Sequence, residues 1–180
     1  DRPTMLRVLF WICFATAMAI YITMIGWSLP AITKAAGGLA PFDMRPLGYT
    51  LADAKTFLAA IDPETIKFYR GVQLTLDLFY PATITISLFL GIYLMLPPRF
   101  GAWRWAISAL PLPIAPFDYL ENNLIGVMLA SGPEKISAEL VSAASRCTVL
   151  KSGFTTASML LLVALSLWWL VRRIQRRTGA

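Results

Sequence analysis

The stretch LRVLFWICFATAMAIYITMIGWSL, residues 6–29, decides the class of fold. It contains one charged side chain, Arg7, in 24 residues, and about 20 apolar residues of helix are enough to cross the hydrocarbon core of a bilayer. The apolar run is longer than the roughly 7–15 residues of a signal-peptide core, and no clear small-x-small cleavage site follows it. The stretch therefore predicts a retained transmembrane helix.

Three further stretches have the length and composition of membrane spans: residues 73–96, 105–130 and 154–171. The whole chain is 57% hydrophobic and only 14% charged, with a mean hydropathy of +0.64. A soluble domain usually has about 45–50% apolar and about 25% charged residues. The sequence therefore predicts an all-α integral membrane four-helix bundle that forms a single domain over residues 1–180.

The segment between the first two spans, residues 30–64, is long enough to have structure of its own. Its first part, AAGGLAPFDMRPLGY, is rich in Gly and Pro and predicts an irregular surface loop. Thr50, with Asp53 three residues later, is typical of a capping box, and a short amphipathic helix is predicted over about residues 51–61. Asp62 followed by Pro63 predicts a second helix start that continues into the next span.

The charges indicate how the chain is oriented. Eight basic and one acidic residue lie in short segments at one set of span ends, where the positive-inside bias is strongest. The longer loops on the other side hold eight basic and six acidic residues. We therefore expect a multi-pass protein of a bacterial inner membrane, with both termini in the cytoplasm and the 51–61 helix outside. The basic RRIQRR tail then meets anionic lipid headgroups rather than nucleic acid.

The chain has two cysteines and no histidine. The absence of histidine excludes His-ligated haem, His-containing zinc sites and Ser-His or Cys-His nucleophile pairs. On the predicted topology Cys13 and Cys147 lie far apart, so no disulfide is expected within the chain. No cofactor is expected.

A polar stripe approaches and enters the second span. Spacings of three, four and three residues place four side chains on one helical face: Arg70, Gln73, Asp77 and Tyr80. A polar stripe on a spanning helix should face protein or water rather than lipid. Pro81 lies four residues after Asp77 and cannot donate a hydrogen bond to its carbonyl, which predicts a kink and a free carbonyl beside the carboxylate.

The third predicted span contains the polar stretch FDYLENN, residues 117–123. Three prolines precede its acids: Pro111, Pro113 and Pro116. They predict a break in the helix, with a new helix beginning near residues 116–118. Asp118, Glu121 and Asn122 then share one face of that helix.

Helical rise places the acids Asp77, Asp118 and Glu121 at similar depth, in the outer half of the bilayer and beneath the FDMRPLGY loop. The sequence therefore predicts an outward-facing polar pocket of eight side chains: Asp43, Arg45, Arg70, Gln73, Asp77, Asp118, Glu121 and Asn122. Its acids could bind a hard cation such as Ca²⁺ or Mg²⁺, or share a proton. The alternative is a set of ion pairs and hydrogen bonds, including an Asp43–Arg45 pair in a turn, that only fixes how the helices cross.

The motifs FDMRPLGY (42–49), LDLFYP (76–81) and DYLEN (118–122) resemble, loosely, a group of small bacterial four-span membrane proteins of no assigned activity. The resemblance covers about residues 42–123 and implies architecture only. It assigns no catalytic residue.

Two classes of function follow from the sequence. The first is a non-enzymatic accessory or binding protein of the membrane, whose polar cluster organises the bundle or docks a partner. The alternative is a small membrane enzyme or carrier that acts on a lipid headgroup, proton or cation through Asp77, Asp118 and Glu121. The expected partners are the lipid bilayer and either another membrane subunit or a second copy of the chain, without nucleic acid.

Overall fold

The computed structural model describes residues 2–178, and within that range the chain forms helices, turns and loops but no β-strand. The α-helices are α1 (Arg2–Thr23), α2 (Leu29–Ala35), α3 (Leu51–Ala60), α4 (Pro63–Phe68), α5 (Leu74–Met95), α6 (Trp103–Ser108), α7 (Ile114–Ser131) and α8 (Ala138–Thr178). Two π-helical turns, Met24–Ser28 and Tyr69–Gln73, join α1 to α2 and α4 to α5. Short 3₁₀ turns lie at Phe42–Met44 and Pro98–Phe100.

Three helical runs are long and apolar enough to cross a membrane: Thr4–Ala35, Pro63–Met95 and Ala138–Arg177. They contain the first, second and fourth predicted spans. Large apolar side chains on their outer faces are exposed, as Trp11 and Leu160 show. This pattern is expected for helices whose neighbours are lipid tails.

The third predicted span, residues 105–130, is not one helix. α6 ends at Ser108, and α7 begins at Ile114 after a turn that contains Pro111 and Pro113. The predicted break is confirmed, although α7 begins two residues before Pro116. α7 has 18 residues, which give about 27 Å of helix. This interrupted segment is not among the three runs that could each cross a membrane, so four spans are a proposal taken up below.

α8 begins much earlier than the predicted fourth span. It is continuous over 41 residues from Ala138, whereas residues 131–153 were expected to form an outer loop. Ser137 caps its first turn, since its Oγ accepts a hydrogen bond from the backbone N–H of Leu140 at 3.2 Å. The polar composition of residues 138–153 lowers their hydropathy without preventing a helix, and the early start brings Lys151 into the bundle.

The segment between the first two membrane-length runs folds as predicted. The capping box of α3 is present: the hydroxyl of Thr50 accepts from the Asp53 N–H, and the Asp53 carboxylate accepts from the Thr50 N–H. Asp62 caps α4 by accepting from the N–H of Thr65 at 2.7 Å, with Pro63 in the first position. These two caps give the loop a defined path over the bundle.

α5 is the centre of the packing, because it contacts α1, α7 and α8, while α7 also packs on α8. Gly91 of α5 permits close packing: a Cβ there would lie 3.2 Å from side-chain atoms of Phe10 and Leu162. A second hydrophobic core covers the outer end, where α3 and the 36–49 loop pack on Tyr69 and on the facing ends of α7 and α8. Cys13 and Cys147 are both buried and free, as expected.

Candidate functional site

Lys151 of α8 is the centre of the polar cluster, although the sequence analysis placed it in a loop. Its Nζ lies 2.5 Å from Glu121 Oε2 and 3.1 Å from Asp118 Oδ1, both on α7. The Glu121 side chain is fully buried, and its Oε1 accepts a hydrogen bond from Thr148 at 2.6 Å. Two carboxylates are thus tied to one buried ammonium group, and this joins α7 to α8.

The sequence contains a pattern that could have placed Lys151 on a buried helical face. Val141, Ala144 and Thr148 are almost completely buried, and their spacing of three and four residues continues to Lys151 with another three. Side chains at such spacings share one helical face. A lysine on the buried face of a helix is a candidate partner for buried acids.

Asp77 of α5 is held by neutral groups. Gln73 Nε2 donates to Asp77 Oδ2 at 2.8 Å, and the Oε1 atom of Gln73 accepts from Ser28 at 2.6 Å. Gln73 is fully buried and Asp77 is 4% exposed. Within the described part of the chain, the second oxygen of the Asp77 carboxylate has no hydrogen-bond donor and no cation beside it.

Asn122 links the acidic residues of α5 and α7 through two hydrogen bonds. Its Nδ2 donates to Asp118 Oδ1 at 3.2 Å and to the backbone carbonyl of Asp77 at 3.3 Å. That carbonyl is the one that Pro81 leaves without its helical partner. The predicted free carbonyl is therefore used as a contact between helices, and α5 runs through Pro81 as one helix.

The outer loop supplies Asp43. Its carboxylate accepts a hydrogen bond from the hydroxyl of Tyr69, and its Oδ1 is buried without a partner. The expected Asp43–Arg45 pair is not formed. Arg45 instead donates from Nε and Nη2 to the carbonyl of Ala40, at 3.0 and 2.8 Å, and braces the loop. Arg45 is therefore not part of the acidic site.

Arg70 does not belong to the site either. It is exposed, whereas Tyr69 is fully buried. The reason is the π-helical turn Tyr69–Gln73, in which hydrogen bonds span five residues instead of four. The wider turn rotates the preceding residues relative to α5, so Tyr69 takes the inward position that an α-helix would give to Arg70.

The site borders a cavity of about 290 Å³, which we call the acidic cavity. Its walls come from α1, α5, α7, α8 and the outer loop, and its acidic and basic lining residues are Asp43, Asp77, Asp118 and Lys151. Tyr21 and Tyr80, whose rings stack at 6.0 Å, line the side where α1 meets α5. Glu121 lies behind Lys151 and does not line the cavity.

Acidic side chains outnumber basic ones at this site. Among the described residues, Lys151 is the only basic side chain in an ion pair, and both its partners are acids of α7. Asp43 and Asp77 have only neutral hydrogen-bond donors. Burial, with the nearby Glu121 charge, raises the pKa of Tyr49 in the loop above its ordinary value, so this tyrosine stays neutral beside the cluster.

The described side chains contain no group of three or more His, Cys, Asp or Glu residues arranged to hold a metal ion. The acids are instead spread around the cavity wall and around Lys151. Acids on separate walls suit a small organic ligand better than a Ca²⁺ ion, which needs six to eight oxygen ligands that converge on one point.

Comparison of the chain with protein-family models, with curated protein sequences and with solved structures gives no match. The structure defines a class of fold only: an all-helical protein with three runs of membrane-spanning length and a partly open cavity that is lined by three acids and a lysine. Its activity is argued below from the chemistry of that cavity.

Proposed function

We propose that the chain is a four-span protein of a bacterial inner membrane, with both termini in the cytoplasm. α6, the proline turn and α7 would together form the third crossing, in which Pro111 of the turn is buried against the bundle. Tryptophan and arginine gather at the end assigned to the cytoplasm, where Arg172 lies over the Trp168 ring at 4.3 Å. This belt, together with the excess of arginine at these span ends, supports the orientation.

Within that protein, the acidic cavity would bind an organic ammonium group that enters from the outer side. The observation that carries this proposal is Asp77. It is 4% exposed, lines the cavity and lacks a basic partner among the described residues. A buried carboxylate without a cation is costly, and a positively charged ligand would remove that cost.

The other walls of the cavity favour an ammonium group over a bare ion. The Tyr21 and Tyr80 rings offer π faces, which attract ammonium groups. The volume of about 290 Å³ lies just below the roughly 300–1,000 Å³ that is usual for pockets of drug-sized ligands, and so suits a small group. Asp43 from the loop and Asp77 from α5 would hold the charge from two sides, while Lys151 and Glu121 keep the α7 wall in place.

A second candidate function is an accessory membrane protein whose polar cluster only organises the bundle. The observation that favours it is the pair of contacts from Lys151 to α7, which satisfies two of the four acids internally. On this alternative the cavity would have no ligand of its own.

Binding of propylammonium would separate the two candidates. The protein in phosphatidylcholine nanodiscs is titrated with propylammonium chloride, against sodium chloride at equal ionic strength and against uncharged propanol. We expect saturable thermal stabilisation by propylammonium alone. Asp77→Asn, which keeps the size of the side chain, should weaken binding by roughly 10- to 100-fold, the worth of one charge-assisted hydrogen bond.

Glu134→Gln is the matched control, because Glu134 is exposed and lies away from the cavity. It should bind propylammonium as the unchanged protein does. Equal responses of the unchanged protein and Asp77→Asn, or no response to propylammonium at all, would reject the binding role and favour the accessory one.

A further inference from the structure

A second cavity continues the acidic cavity along α5 toward the other end of the bundle. It has a volume of about 250 Å³, lies between α1 and α8, and its lining includes Phe14, Met18, Leu88 and Met159. Ile84 lines both cavities. We call this second cavity the apolar groove. Both cavities lie between α1, α5 and α8, and we refer to the two together as the channel.

The chemistry of the channel changes along its length. At the outer end it presents Asp77 and Lys151, whereas beyond Ile84 its lining is apolar except for Ser87. The Ser87 hydroxyl donates to the carbonyl of Thr83 at 2.7 Å, so it offers no free donor to the groove. The groove can therefore accommodate a hydrocarbon chain, but it offers no hydrogen-bond partner to a polar group.

The dimensions of the channel match one lipid chain. Asp77 and Leu88 are 11 residues apart on α5, about 16 Å along a helix, and one leaflet is about half of a 30 Å core. The channel is narrow at its far end, where Phe10 and Leu162 converge over Gly91. It opens sideways, since Met159 is 40% exposed.

We propose that the ligand is an amphipathic amine, with its ammonium group in the acidic cavity and a single hydrocarbon chain in the apolar groove. This inference rests on the proposed function and names the substrate class of the same site. The acids at one end of the channel select the charged group, and the sideways opening lets the chain enter from the outer leaflet. The protein would thus take its ligand from the membrane rather than from water.

Photolabelling with a probe pair tests this inference. The first probe is an alkylammonium of about 14 carbons with a diazirine near the end of its chain, and the second is the matching alcohol. Both are incorporated into phosphatidylcholine nanodiscs that hold the protein, and labelled residues are mapped by mass spectrometry. We expect the ammonium probe to label the groove walls around Met18, Leu88 and Met159 at least about tenfold more than the alcohol does.

Two variants test where the hydrocarbon chain of the probe lies. Leu88→Trp should fill the apolar groove, because Leu88 lines the groove but not the acidic cavity, and it should reduce groove labelling to the level of the alcohol while propylammonium still binds to the acidic cavity. Ile86→Trp is the matched control, because Ile86 is on the same helix but 40% exposed on its outer face, and it should leave labelling unchanged. Excess propylammonium should compete with the ammonium probe.

Equal labelling of the groove by the two probes in the unchanged protein would mean that the groove holds bulk lipid only, and would overturn the inference without any variant. Ammonium labelling confined to residues around Asp77 would also overturn it. In either case the proposed function still stands if propylammonium binds and Asp77→Asn weakens that binding as expected above. If propylammonium does not bind at all, the proposed function fails as well.

Discussion

Replacing Lys151 with methionine keeps the length of the side chain but removes the cation that is paired with the acids of α7. The Glu121 side chain is fully buried and that of Asp118 is 5% exposed, so after the change Glu121 has no access to water and Asp118 can be reached only through the acidic cavity. Breaking a buried ion pair by removing one partner costs about 3–5 kcal/mol, because it leaves an uncompensated buried charge. We expect Lys151→Met to lower the free energy of unfolding by that amount.

A second substitution should recover part of the loss. In Lys151→Met combined with Glu121→Gln, the amide replaces the more deeply buried of the two charges and can still accept the hydrogen bond of Thr148. We expect the double variant to regain about 2 kcal/mol. Lys135→Met is the matched control, because Lys135 is exposed near the start of α8, and it should change stability by less than about 0.5 kcal/mol.

The free energy of unfolding can be measured by an SDS titration in mixed micelles, with tryptophan fluorescence as the signal. The unchanged protein and the three variants are compared under the same conditions. If Lys151→Met and Lys135→Met unfold at the same denaturant concentration, the contacts of Lys151 do not stabilise the bundle. If the double variant is less stable than Lys151→Met, the loss does not come from the unpaired charge of Glu121.

Three further outcomes follow from contacts described above. Thr50→Ala removes the α3 cap and should destabilise that helix by about 1 kcal/mol, seen as faster amide exchange across α3; Thr56→Ala, in the exposed middle of the same helix, should have little effect. Hydrogen bonds from Thr65 lower the pKa of Asp62, so the stabilisation by this cap is present above the ordinary Asp pKa of about 3.9 and is lost as the pH falls through the lower folded value. Amide exchange of α4, corrected for its intrinsic rate, should show this loss, and Asp62→Asn should not. Asn122→Leu leaves the Asp77 carbonyl without its donor, while Asp118 Oδ1 keeps Lys151, and should cost about 1–3 kcal/mol in the SDS titration; an unchanged midpoint would mean that the amide does not join α5 to α7.

Local signals in the sequence were enough to predict several structural elements. Both outer caps, at Thr50 and Asp62, lie where the sequence predicts them, because capping depends on a few neighbouring residues and not on the rest of the fold. The break in the third predicted span follows in the same way from proline chemistry, which removes backbone donors wherever the chain is placed.

Those signals placed two residues wrongly, Lys151 of the site and Arg70 outside it. Lys151 lies just before the apolar run that hydropathy identifies, so an average over side chains assigned it to a loop although its helix begins at Ala138. Arg70 was placed inside because an α-helical spacing was assumed, whereas the chain there forms a π turn. Hydropathy measures the preference of a side chain for water and not whether it has an ion-pair partner in the fold. A constant α-helical period cannot detect a single π-helical turn.

The two π-helical turns have a consequence for how the chain tolerates changes in length. Each has glycine in its third position, Gly26 in one and Gly71 in the other, and each ends at a residue of the Ser28–Gln73 hydrogen bond. A π turn carries one residue more than an α-helical turn. Deleting either glycine would let an ordinary helix form, turn its outer part by about 100° and direct a different set of side chains at the cavity. Chain length at these two points therefore determines which side chains line the cavity, and related proteins with one residue fewer there should present a differently composed cavity on the same helices.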